Sequence, residues 1–262
     1  MNEKKYNAIG VNYKINRTAD HRIVTSIVDL LNLPTGSTIT DVGAGTGNYS
    51  NALANLGYKI KAIEPSEEMQ RQSIPNVNVD WYLGSAESIP LADNSVDGII
   101  IILAIHHFSS VPKSAGEIRR ICPKGPIVVF TFDPREGEEP WFKNYFPEAY
   151  QKDFVSFPPI HEVADRIADE GPWKKMIRKF ALPHDLTDKY MYSGWNKPEI
   201  YLDPGFRQNV SGLALAPKHL VQKGVENLRI DLETGKWDEQ YGYLRKQPSF
   251  DAGFRFIQCR KI

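Results

Sequence analysis

Residues 18–33, TADHRIVTSIVDLLNL, place Ile23, Ile27, Leu30 and Leu31 three and four positions apart, so these side chains share one face of a helix. Pro34 and Gly36 end it. The period then shortens. STITDVG reads as a strand, the next three glycines as a tight turn, and NYSNALANLG as a helix closed by Gly57, where a left-handed residue is wanted. KIKAIEP, VDWYLGS, VDGIIIILAI and GPIVVFTFD continue as strands, with SEEMQRQS and SAGEIRRIC as helices among them. Strands alternating with helices predict a parallel sheet covered on both faces, because each crossover returns over the sheet with right-handed sense.

From Pro134 the rhythm breaks. DPREGEEPWFKNYFPEAYQKDFVSFPPI is rich in proline and aromatics and shows no clear period, which predicts an insertion folded over the sheet. Regular structure resumes with a helix at HEVADRIADEG and a strand at KKMIRKFAL. Further helices run to about residue 246, and GFRFIQCRKI makes a last strand.

Composition narrows the partners. The chain has 262 residues, 41% of them apolar and 24% charged, which is ordinary globular usage. Lys plus Arg and Asp plus Glu number 32 each, so no net field draws the chain to nucleic acid or to an anionic membrane, and a small-molecule partner is expected. Cys122 and Cys259 lie far apart, form no metal-spaced cluster and suit a reducing compartment, so the expected location is cytoplasmic. The polar start MNEKKYNAIG lacks the apolar segment of a signal peptide, and IIIILAI at 99–105 is too short to span a bilayer but suits a strand buried on both faces.

The candidate chemistry centres on ITDVGAGTGNYS. Glycines at the carboxyl end of a first parallel strand let backbone approach a ligand, and the following helix offers unpaired N–H groups. A dinucleotide or an adenosyl group could use both features. The dinucleotide fingerprint needs a third glycine where this chain has Asn48 after Gly43, Gly45 and Gly47. Asp41, two residues before the first glycine, would repel a pyrophosphate and attract a cation, each such contact being on the order of 4 kcal/mol at ~4 Å and an effective dielectric near 20. Glu64, at the end of the second strand, suits ribose hydroxyls in either case.

DVGAGTG, IEPSEEM, GSAESIPLADNSVDGI and AIHHF, in that order and spacing, resemble the class I S-adenosylmethionine-dependent methyltransferases, in particular the small-molecule branch that includes quinone-biosynthesis enzymes. The resemblance is specific over residues 36–133. It implies that Gly43, Gly45 and Gly47 pass under the methionyl part of S-adenosylmethionine, with Asp41 supporting the loop and the ligand's ammonium. Glu64 would hold both ribose hydroxyls, Met69 would touch the adenine, and Ala86 would offer its N–H to the ring. Ser85 stands where the family usually has an acid for the adenine amino group; Glu87 reads as a solvated or capping residue. Leu103 and Ala104 would flank the sulfonium. Tyr13 and Arg17, in YKINR, resemble residues that close such sites from an N-terminal helix, with a surface arginine beside a half-buried tyrosine as the alternative.

The implied fold is a doubly wound, mostly parallel seven-stranded α/β sheet, Rossmann-like, with an N-terminal helical cap and a lid inserted after strand five. The expected partition is a cap at 1–34, an S-adenosylmethionine-binding core at 35–135, a lid with the remaining helices at 136–246, and a C-terminal strand at 247–262 completing the core.

In an open parallel sheet the reactive methyl should face the ends of strands four and five. There lie the candidate bases His106 and His107, which point in different directions, so one at most meets the acceptor. Asp133 either binds substrate or caps the turn before Pro134. Trp141, with Phe142, Tyr145 and Phe146, either encloses a planar acceptor or packs as lid core. The expected activity is methyl transfer to an O, N or C atom of a small molecule. The alternatives are an NAD(P)-dependent oxidoreductase and a non-catalytic regulatory protein that binds S-adenosylmethionine. Arsenic methylation would need more thiols, and nucleic-acid methylation a basic stripe; KKMIRK reads as a solvated strand edge.

Overall fold

A computed structural model describes residues 18–169, 171–208 and 210–262. Helix α1 (His21–Leu31) starts at Asp20, whose side chain accepts the Arg22 N–H. It ends at Asn32, which takes the left-handed conformation (φ 47°) two residues before Pro34. The four apolar residues of its stripe are buried, each contributing about 1.5–3 kcal/mol of burial. Carbonyls of α1 receive side chains from later in the chain: Arg178 donates to Ser26 O, and Gln258 and Arg260 donate to Leu30 O and Leu31 O at the helix end.

The sheet comprises β1 (Thr38–Val42), β2 (Lys59–Glu64), β3 (Val79–Leu83), β4 (Gly98–Ile102), β5 (Ile127–Phe132), β6 (Trp173–Lys179) and, after the short pair β7 (Leu182–Pro183) and β8 (Ser249–Phe250), β9 (Phe254–Lys261). Its order is β3-β2-β1-β4-β5-β9-β6. The first five strands run parallel, and β9 is antiparallel to both β5 and β6. Between β1 and β2 lies α2 (Asn48–Asn55); α3 (Glu67–Arg71) follows β2, and α4 (Val111–Ile121) follows β4. Because β1 pairs with β2 on one side and β4 on the other, the chain's winding reverses there, and a crevice opens beyond the carboxyl ends of those strands.

Three differences from the sequence reading have physical causes. The fourth strand stops at Ile102, not Ile105, because Leu103 turns left-handed (φ 52°) while its N–H still donates to Phe130 O at 2.8 Å. Ile105–His107 then forms a 3-10 turn. The aperiodic stretch contains a second such turn, Trp141–Asn144, and a ten-residue helix, α5 (Pro147–Ser156). Its pattern was hidden because Asp153 occupies a buried position while Val155 is 82% exposed.

The span 136–246, read as lid with remaining helices, is not continuous cover. Helix α6 (Ile160–Ala168) packs on α4 and β9, and β6 is an edge strand of the main sheet. Val163, Ala164 and Ile167 of α6 join the apolar layer formed by Ile99, Ile101, Ile127 and Ile257. The cover therefore comes from two pieces, residues 134–159 and 180–253. Its aromatic side chains join the buried layer on the other face of the sheet, with Ile39, Ile100, Phe130 and Phe256, and among them Trp141 meets Tyr201 and Trp237 edge to face at 5.4 and 5.5 Å.

Candidate active site

The buried strand β1 delivers the glycine loop to the crevice. Gly43 and Ala44 donate their N–H groups to Ile63 O at 2.8 and 3.1 Å, which seats the loop on the end of β2. Gly43 has φ 79°, and a Cβ there would lie 2.6 Å from Ala104 Cβ, so the loop also presses against the chain leaving β4. Gly47 (φ 78°) precedes α2, and a Cβ there would meet Trp81 at 2.7 Å. Gly47 serves this packing and does not line the cleft; Gly43 and Gly45 do.

The cleft opens to solvent. Glu64 is 3% exposed and accepts the Gly45 N–H at 2.9 Å and the Ser66 N–H at 3.0 Å, one on each carboxylate oxygen. Burial pushes its carboxyl above the usual range despite these two bonds. Each oxygen keeps a second lone pair for a hydroxyl donor. Met69 forms an adjoining wall, anchored by its N–H to the Ser66 cap, and the turn Gly84–Ser85–Ala86 forms another. Between these walls Gln70 donates to Glu64 O at 2.7 Å and Tyr82 O at 3.3 Å, fixing the ends of β2 and β3. Leu103, Ala104, His107 and Phe108 close the side nearest β4.

Asp41 lies beneath the cleft, not on its lining. One carboxylate oxygen accepts Ser50 Oγ at 2.6 Å; among the described residues the other, also buried, has no hydrogen-bond partner. Burial, reinforced by the charge of Glu64, pushes its carboxyl up to about 7. This qualifies the electrostatic expectation: the desolvation that would strengthen attraction to a cation also disfavours the charged form of both acids and holds Asp41 partly protonated near neutral pH.

The remaining expected residues divide. His107 lines the cleft, whereas His106 stacks on Phe157 of the cover, with ring centroids 4.0 Å apart. Asp133, 2% exposed, accepts the N–H groups of Arg135 and Ile160 at 3.0 Å each and pairs with the Arg135 guanidinium at 2.6 Å. It is a cap at the start of α6, away from the cleft. Trp141 donates its ring N–H to Trp195 O at 2.7 Å among the buried aromatics and does not line the cleft either. Tyr13 and Arg17 lie outside the described residues.

Tyr49, Glu87 and Phe108 also line the cleft, beyond the ligand contacts expected from the sequence. Tyr49 was findable, since the first turn of a helix following a glycine loop faces the same ligand space. Glu87 is 8% exposed and accepts backbone N–H groups from Ser109 and Ser110, so it caps but is not solvated. Among the described residues no helix is long and apolar enough to cross a membrane.

Comparison with known proteins agrees with this geometry. The family described as a methyltransferase domain matches residues 40–130. The ubiquinone/menaquinone biosynthesis C-methyltransferase UbiE of Rubrivivax gelatinosus is 35% identical over 44% of this chain and 53% of its own length. A malonyl-[acyl-carrier protein] O-methyltransferase of Pectobacterium atrosepticum is 31% identical over 45% of each chain. The match thus spans about half the length of these curated relatives. A solved protein of Anabaena variabilis, assigned as a methyltransferase of an antibiotic biosynthesis pathway, is 43% identical and superposes with a TM-score of 0.91 over 94% of this chain and 99% of its own. With the strand order, the glycine loop and a buried acid at the end of β2 in place, the chain belongs to the class I S-adenosylmethionine-dependent methyltransferases.

Proposed function

We propose that the protein moves a methyl group from S-adenosylmethionine to an O, N or C atom of a small biosynthetic molecule. The observation that carries this reading is the cleft itself. Its lining acids are Glu64 and Glu87, it includes no Lys or Arg among the described residues, and a buried Asp41 oxygen below it lacks a hydrogen-bond partner. Such a site favours a cationic ligand over a pyrophosphate. The full-length similarity to the Anabaena protein supports a small biosynthetic acceptor.

When bound, S-adenosylmethionine supplies an electrophilic methyl whose thioether leaves without protonation, so the enzyme's work is alignment and exclusion of water. In this reading Glu64 holds the ribose hydroxyls, Met69, Ser85 and Ala86 bracket the adenine, and Leu103 and Ala104 bound the sulfur. His107 is the base for an acceptor that must lose a proton. His106, packed on Phe157, orients the turn that carries it. Tyr13 and Arg17 retain their expected closing role. The two cysteines, both buried free thiols, suit a cytoplasmic location.

The alternatives lack comparable support. The oxidoreductase reading lacks its third glycine. Exposed cover aromatics would support the regulatory reading, whereas Trp141, Phe142, Tyr145 and Phe146 are all buried. Calorimetry with S-adenosylmethionine and S-adenosylhomocysteine should give micromolar binding, with NAD giving none; the reverse would overturn the reading. Screening phenols, quinols, amines and carboxylates for S-adenosylhomocysteine formation then identifies the acceptor.

A further inference from the structure

Glu87 sits on the turn that follows the adenine wall, yet its contacts lie on the opposite side of the cleft. One of its carboxylate oxygens accepts the N–H of Ser109 at 2.6 Å and that of Ser110 at 3.2 Å. These residues directly follow His107 and Phe108, which line the β4 side. Burial raises the carboxyl's pKa, but the N–H groups of Ser110 and Ser109 outweigh it and hold the group below its ordinary range, so the acceptor is a charged one.

The rest of the turn is fixed independently. Glu117 accepts the Ile89 N–H at 2.8 Å, and Arg120 donates to Ile89 O at 2.9 Å and Leu91 O at 2.7 Å, tying residues 89–91 to α4. Ser110, the second amide that Glu87 holds, is the N-cap of that same helix. The adenine-side turn and the segment 105–110 thus share one rigid mount, with Glu87 as the direct bond between them across the cleft.

We infer that Glu87 is a positioning residue coupling the two halves of the site: a ligand settling against Ser85 and Ala86 fixes Glu87, and Glu87 fixes the His107–Phe108 segment that faces the acceptor. The inference rests on the methyltransferase reading for the identity of that ligand. The contact with Ser109 and Ser110 does not.

Hydrogen exchange on the full chain tests both parts. Without ligand, Glu87→Ala should speed exchange at the Ser109 and Ser110 amides about tenfold while leaving residues 21–31 at wild-type rates. Saturating S-adenosylhomocysteine should slow exchange over 105–110 in wild type by about fivefold, not in Glu87→Ala, and by an intermediate factor in Glu87→Gln, whose amide oxygen still accepts both bonds. Wild-type protection in Glu87→Ala, or ligand that leaves 105–110 unchanged in wild type, overturns the inference. If calorimetry shows no binding to wild type, the methyltransferase reading fails instead, and the ligand-free arm still decides the contact. Should Glu87→Ala fail to fold, Glu87→Asp decides. Its shorter carboxylate cannot hold both amides, so faster Ser110 exchange is expected and an unchanged rate overturns the inference.

Discussion

The Tyr49 hydroxyl donates to Asp188 Oδ2 at 2.9 Å, joining the helix that opens at the cleft to the cover segment beyond β7. The same segment is held at Thr187, whose N–H and hydroxyl donate to Asp20, and at Asp185, which pairs with Arg22. Removing the Tyr49 hydroxyl takes a donor from a buried carboxylate. Tyr49→Phe should lower stability by about 1–3 kcal/mol, read as a fall in Tm, with faster exchange in residues 184–192. A Tm within one degree of wild type would show that the bond does not fasten the cover.

Gly43 combines a left-handed backbone with a space that a methyl group would overfill against Ala104. Gly43→Ala should cost about 2 kcal/mol or more and abolish S-adenosylhomocysteine binding, because relief requires shifting the loop from β4. Gly36, equally left-handed but with open space around its Cβ position, supplies the control: Gly36→Ala should cost about 1 kcal/mol and leave binding intact.

Asp41 and Glu64 have carboxyls pushed above their ordinary range by burial, Asp41 to about 7. Asp41 gains charge as pH rises through about 7, and only a cationic ligand benefits. The ratio of S-adenosylmethionine to S-adenosylhomocysteine affinity should rise about three- to tenfold from pH 6 to pH 8, with proton release on binding the sulfonium. Titration in buffers of different ionisation enthalpy measures both, and a flat ratio would count against the carboxylates sensing the sulfur's charge.

Asp153, buried against the Tyr192 hydroxyl at 2.7 Å, is likewise raised to about 7 by burial. Its folded-state value exceeds its unfolded one, so below about 4 both states are protonated and nothing is lost. As pH climbs to about 7 the unfolded chain sheds the proton first and stability falls; above 7 the loss is constant. Asp153→Asn keeps an acceptor for Tyr192 without the charge. Its Tm should match wild type near pH 4 and exceed it by several degrees at pH 8, and a pH-independent difference would refute the assignment.

His107 lines the cleft and His106 does not. With an acceptor that loses a proton, His107→Ala should lower turnover about 100-fold or more, whereas His106→Ala should lower it less and reduce Tm through lost stacking on Phe157. Equal losses would return both residues to candidacy.

The strand order and the glycine loop were legible because burial on one or two faces leaves a period in the sequence. Ile23, Ile27, Leu30 and Leu31 mark α1, the isoleucines mark β4, and Gly57 falls where the chain turns left-handed (φ 92°). Polar residues placed by distant partners left no such trace. Asp153 faces inward because Tyr192 meets it there, which hid α5, and Asp133 caps a helix that begins 27 residues later. The left-handed turn at Leu103 carries no glycine to announce it. The role of Glu87 depends on Ser109 and Ser110, which no local pattern connects to it.

The insertion of β9 between β5 and β6 has a consequence for how the molecule assembles. In the described residues β9 is the sole sheet neighbour of β6, and residues 180–253 separate the two in sequence. That ladder is among the most non-local in the protein, so β6 stays an unpaired ribbon until a long loop has closed, a stage at which bare strands are prone to join other chains. Lys174, Lys175, Arg178 and Lys179 make the waiting ribbon strongly cationic. Mutual repulsion between nascent copies protects it for as long as its own partner is missing.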